Sequence, residues 1–211
     1  MAETDKEINP QRIKKMKKTV LFGIIATLLF IKCEEEKNPF AITDGAIGPI
    51  TKTTKMKQLD SIFAQDSLVK LNPIKGALDT QGEVEIYEKG GTKLLLVSPY
   101  DESDPNSEIA NVQVFDSRYT TEKGLSKAST FKDVKANYEI AAIENAINSV
   151  VVFLKGTSLY LTIDKKELPE EVRYNFNQKI EASQIPDEAK FKYFMIGWDA
   201  GEPIEIQEGD I

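Results

Sequence analysis

The residues best equipped to do chemistry in this chain are carboxylates. The 211 residues include 34 acids and 27 bases, no histidine, and a single cysteine, Cys33. Ser-His-Asp and Cys-His nucleophile systems, a histidine base and imidazole zinc sites are therefore excluded. An intramolecular disulfide is excluded as well. What is left is carboxylate chemistry, a hard cation, or no chemistry.

Two acidic segments bear on that choice. Asp101-Glu102-Ser103-Asp104-Pro105-Asn106-Ser107-Glu108 places four carboxylates in eight residues, and calcium takes six to eight oxygen ligands. Pro105 falls where a ligand is needed and no glycine follows, so the EF-hand spacing is not met. A polar turn between strands is the favoured reading. Asp164, Glu167, Glu170 and Glu171 surround Leu168-Pro169 and could supply the paired acids of a glycosidase. The single Trp198 lies far along the chain, so a solvated loop is favoured there. Trp198 with Phe191, Tyr193 and Phe194 reads as core, or as an aromatic binding platform. Gly90-Gly91 lacks the Gly-Lys-Ser/Thr of a phosphate loop. Ser129-Thr130-Phe131-Lys132 matches the letters of a Ser-x-x-Lys site but reads as a helix cap. The expectation is a protein with no catalytic residues, no metal site and no cofactor, and no enzyme.

The N-terminus carries more information. Lys14-Lys15-Met16-Lys17-Lys18 precedes the apolar run Val20–Ile31, which is too short to span a bilayer comfortably and fits an export signal. Residues 1–15 read as an upstream extension, with Met16 at the signal's start. Removing residues 1–32 leaves 20 bases and 31 acids, a net charge of −11. Such a body repels a phosphate backbone, so nucleic acid is not an expected partner.

Cys33 directly follows the apolar run, and there the segment resembles a bacterial lipoprotein signal, whose cysteine is acylated. Lys32 departs from the small residue usual before that cysteine. The resemblance implies lipidation at Cys33 and a membrane partner. Glu34-Glu35-Glu36 resembles the acidic tract that sends some Gram-negative lipoproteins to the outer surface. It implies an outer-membrane address, on the cell surface or the periplasmic face.

Beyond the signal, an internal repeat sets the expected architecture. Residues 52–63 align without gaps to residues 127–138, at an offset of 75. Thr54 and Ser129 read as N-caps. Met56, Leu59 and Phe63, and likewise Phe131, Val134 and Tyr138, fall on one helix face. Strand signals follow each helix: 83–87, 94–97 and 111–115 in the first half, then 149–154, 158–163 and 191–196. Residues 176–182 fit neither period. The expected fold is α+β: two helix-plus-antiparallel-strand repeats sharing one sheet, with short helices on one face. The expected organisation is a signal at 16–32, an acidic tether at 33–43, and one domain at 44–198, with repeats at 44–115 and 116–198. An acidic tail follows at 199–211.

The repeated glycine, hydroxyl residue and short helix resemble a module of β-lactamase-inhibitor-like proteins and small outer-membrane assembly lipoproteins. Asp60-Ser61-Ile62-Phe63-Ala64, the segment Ile86–Gly91 and the segment Ile163–Pro169 resemble a family of uncharacterised Gram-negative lipoproteins, which lends no activity. The functional expectation is a lipid-anchored binding or structural module, with an unidentified protein or envelope component as partner. The alternatives are a carboxylate hydrolase of envelope glycans and a calcium-stabilised surface module.

Overall fold

The computed structural model describes residues 38–71, 82–104, 106–174 and 178–198. The upstream extension, the signal, Cys33, Glu34, Glu35, Glu36 and the tail lie outside these residues.

Alternation of apolar and polar residues builds part of what is seen. It produces β5 (Val84–Tyr87) and β7 (Ile109–Val114), and more continuous apolar runs produce β6 (Lys93–Pro99), β10 (Ser149–Leu154), β11 (Leu159–Asp164) and β12 (Phe191–Gly197). With β4 (Ser67–Lys70) and β9 (Ile140–Asn145) these form an eight-stranded sheet, ordered β4-β5-β6-β7-β12-β11-β10-β9. Every neighbouring pair is antiparallel. The sheet is thus two four-stranded meanders joined edge to edge where β7 meets β12, with Val114 opposite Phe194. Gly90 and Gly91, at φ +122° and +94°, turn the β5–β6 hairpin as their type requires.

A second, four-stranded sheet is ordered β3-β2-β1-β8. Its strands are β1 (Ala41–Thr43), β2 (Ala46–Ile47), β3 (Ile50–Thr51) and β8 (Thr120–Thr121), with β1 parallel to β8. β1 occupies residues expected in the tether, and its Ile42 is buried in the core. Gly48 enters the turn after β2 at φ +51°, where any Cβ would collide with the Pro39 carbonyl oxygen.

The expected α+β fold is therefore incorrect. Among the described residues the protein is mostly β, with twelve strands in two sheets. The α-helices are α1 (Leu59–Ile62), α2 (Phe131–Asn137) and α3 (Glu170–Arg173), and the longest has seven residues. Apolar spacing of three and four located α1 and α2 correctly but could not give their length. One or two turns present too little surface to form a layer.

What the segments 75 residues apart do share is a local hydrogen-bond pattern. Thr54 Oγ1 accepts from Thr51 N at 2.9 Å, and Ser129 Oγ accepts from Ser126 N at 3.1 Å. Lys55 N donates to Gln58 Oε1, and Thr130 N to Asp133 Oδ2, both at 2.8 Å. Met56 N reaches Ser107 O and Phe131 N reaches Ala189 O, tying each turn to the residues before β7 and β12. The N-caps are accordingly Lys55 and Thr130, one residue beyond those expected. Thr54 and Ser129 instead close the preceding turn.

One face of the large sheet holds the core. Val84, Ile86, Leu95, Val97, Val112, Val114, Phe194, Ile196, Leu161, Ile163, Val150 and Val152 point to it and are buried. Met56, Leu59, Phe63, Phe131 and Val134 from the helical turns belong to the same cluster. Each such side chain contributes about 1.5–3 kcal/mol relative to exposure.

Candidate functional site

Because successive strand residues face opposite ways, the residues between the core positions define a second face. Its middle row runs across the strands as Val69, Glu85, Leu96, Gln113, Met195, Tyr160, Phe153 and Ala142. These side chains are half-buried, apart from the more exposed Val69. Flanking positions add Tyr87, Tyr193, Thr162 and Val151, with Ser98, Asn111 and Gly197 on the other side.

The β5–β6 end of this face is a polar knot. Lys93 Nζ donates to Glu85 Oε1 at 2.5 Å, and the Tyr87 hydroxyl donates to Glu85 Oε2 at 2.7 Å. The ammonium also sits 4.2 Å from the Phe115 ring centroid. The hydrogen bond from Lys93, then that from Tyr87, holds the Glu85 carboxyl below its usual range, and the same carboxylate pushes the Tyr87 hydroxyl up.

The β10–β12 end is aromatic. Phe153 and Tyr160 stack with centroids 5.8 Å apart and planes at 24°. The Tyr160 hydroxyl donates to Asn111 Oδ1 at 3.0 Å. Of the aromatics read as core or as a platform, Phe191 and Phe194 are core, and Tyr193 lies on this face, 40% exposed. Trp198 is partly buried against the core, and its indole N–H has no acceptor among the described residues.

A groove of about 550 Å³ lies between β1, β8 and the β10–β11 turn. Its cations are engaged by the protein itself. Lys123 Nζ donates to Asn137 O at 2.8 Å and lies 4.7 Å from the Tyr138 ring, and Lys155 pairs with Glu139 at 2.8 Å.

The acidic segments are committed to local structure. Asp101 Oδ1 accepts from Ser103 N and Oγ at 2.8 and 2.6 Å, which lowers its pKa. Asp104 Oδ1 accepts from Asn106 N at 2.8 Å. Among the described residues no group of three or more carboxylate or cysteine side chains is gathered to hold a metal. Asp164 Oδ1 accepts from Lys166 N at 3.0 Å, the first cause of its lowered pKa, and Oδ2 faces Lys192 at 3.5 Å. Glu167 accepts from Lys190 N, and Glu170 and Glu171 open α3. Asp101 and Asp104 sit in the turn between β6 and β7, whereas Asp164 ends β11 and Glu170 and Glu171 lie in α3, not in the solvated loop expected.

No protein-family model and no curated protein matches the chain. Among solved structures, the chain is similar to the uncharacterized protein yfeY from Escherichia coli. The TM-score is 0.49 and the identity 14%, over 74% of this chain and 99% of that chain. No helix among the described residues is long and apolar enough to cross a membrane.

Sequence reasoning missed Phe153, Tyr160, Asn111 and Gln113 as one surface. Strand alternation assigns each to a face, but the run Val150–Leu154 is apolar on both faces. No polar alternation marks which one stays open.

Proposed function

We propose that the protein is a lipid-anchored, non-catalytic binding module of the bacterial outer membrane. In this reading acylated Cys33 holds the chain, and Glu34, Glu35 and Glu36 lead the body away from the bilayer. The open face of the large sheet meets a protein or envelope component. The observation that carries the reading is that face: apolar and aromatic side chains in one cross-strand row, left half-exposed opposite a complete core. Contiguous apolar surface on a soluble body is a mark of an interaction site. The anchor rests on the lysine-rich start, the apolar run Val20–Ile31 and the cysteine after it. Two acyl chains hold a protein stably, each buried methylene contributing about 0.8 kcal/mol.

A photocrosslinking residue at position 113, in the middle of the face, tests the reading in intact cells. The same residue at exposed position 171 serves as control. The expected result is an adduct from 113 and none from 171; no adduct at 113, or equal adducts at both, contradicts it. External protease with a periplasmic control decides the membrane side.

A further inference from the structure

The centre of the open face is flat, uncharged and aromatic. Gly197 makes it flat: a Cβ there would lie 2.9 Å from Cε1 of Tyr160 and 3.1 Å from Asn111 Oδ1. With no side chain at 197, the Tyr160 ring lies down across β12 and its hydroxyl reaches Asn111. The ring is then fixed at its far end by that bond and lies near-parallel to the neighbouring Phe153 ring, at 24° with centroids 5.8 Å apart.

Two amides border this platform. Asn111 uses its oxygen for Tyr160, leaving its NH2 without a partner among the described residues. Gln113, opposite Met195 and two strands from Tyr160, has no side-chain partner among them either. The row Leu96, Gln113, Met195, Tyr160, Phe153, Ala142 holds no charge, and the next member, Glu85, is neutralised by Lys93. The whole chain is acidic, at −7.

We infer that Phe153 and Tyr160, with Asn111 and Gln113, form a binding site for a neutral polysaccharide. The inference rests on the binding-module reading above and gives its ligand a chemistry. A pyranose ring presents C–H groups on one face, which suit the negative face of an aromatic ring. Its hydroxyls both donate and accept, as carboxamides do. Charge selects within the glycans: an acidic body disfavours uronate or phosphate polymers, and an uncharged strip asks for no counter-charge. Flatness selects against a proline-rich peptide, which docks in grooves between aromatic ridges.

Affinity electrophoresis of the full chain in detergent, through native gels containing dextran, laminarin or glucomannan, tests the site. Retardation by at least one of the three is expected. Phe153→Ala should weaken the apparent affinity about tenfold and Gln113→Ala about fivefold. Gln113→Ala removes no internal bond, so its effect is read on a folded protein, which an unchanged melting temperature verifies. Absence of retardation by all three polymers overturns the inference, as does equal retardation of both variants and the parent. Binding of decaproline in place of glycan overturns it too. If the crosslinker at 113 captures a protein while no polysaccharide retards the chain, the binding reading stands and the glycan inference falls.

Discussion

Gly48 and Gly156 hold φ at +51° and +69°, yet their surroundings differ. A Cβ at Gly156 meets nothing within 4 Å, whereas one at Gly48 runs into the Pro39 backbone. Gly156→Ala is expected to cost about 1 kcal/mol, the strain of a left-handed residue. Gly48→Ala should exceed about 2 kcal/mol; urea titration of both variants measures the difference. Carboxylates give a second prediction. The Arg118 hydrogen bond holds the Asp116 carboxyl below its usual range, and Glu85, Asp101 and Asp164 are lowered likewise. Such groups stabilise the fold above the unfolded carboxylate range, near about pH 4. That stability is lost as pH falls through the folded values. Melting temperature should be level near neutrality and drop below about pH 4, less steeply in Asp116→Asn. At this scale the sequence was legible where residue type restricts conformation, as at Gly90-Gly91. It misled where two residues could play one part. Ser129 and Thr130 both suit a cap, and Asp133, three residues after Thr130, is the signal that separates them.

The helix entering from Thr130 shows how much a single element depends on its cap. Thr130 N and Oγ1 both meet Asp133 Oδ2, at 2.8 and 3.3 Å. In a helix of seven residues few other bonds compensate. Thr130→Ala is expected to cost about 1 kcal/mol, with loss of amide protection confined first to residues 131–137 in hydrogen exchange. The strands read correctly from alternation are those with one buried face and enough length to show it, such as β5 and β7. β9 was missed because Ala141 and Ala142 blur its pattern. β4 was missed because its burial is slight on both faces. β2, β3 and β8 have two residues each, fewer than any period needs to declare itself. Their existence depends on pairing with β1, which is tertiary information.

At the scale of the molecule, the two meanders share one core across the β7–β12 seam. Phe194 is fully buried there, opposite Val114 and Leu161. Phe194→Ala should cost about 3–5 kcal/mol and still unfold in one transition. Two separated transitions by circular dichroism would show that the halves are independent. Tyr193→Ala, one residue away on the open face, should cost far less. The architecture explains a division in what could be read beforehand. The core row was legible because burial imposes alternation, and the open row was not, because nothing in a single strand says what will cover it. The proposed anchoring is the converse, an expectation that rests on the sequence around Cys33 alone. Labelled palmitate supplied to cells expressing the full chain tests the central claim, a folded body held to the membrane by lipid. Label should enter the parent protein and be lost in Cys33→Ser. An unlabelled parent, or equal labelling of the two, contradicts it.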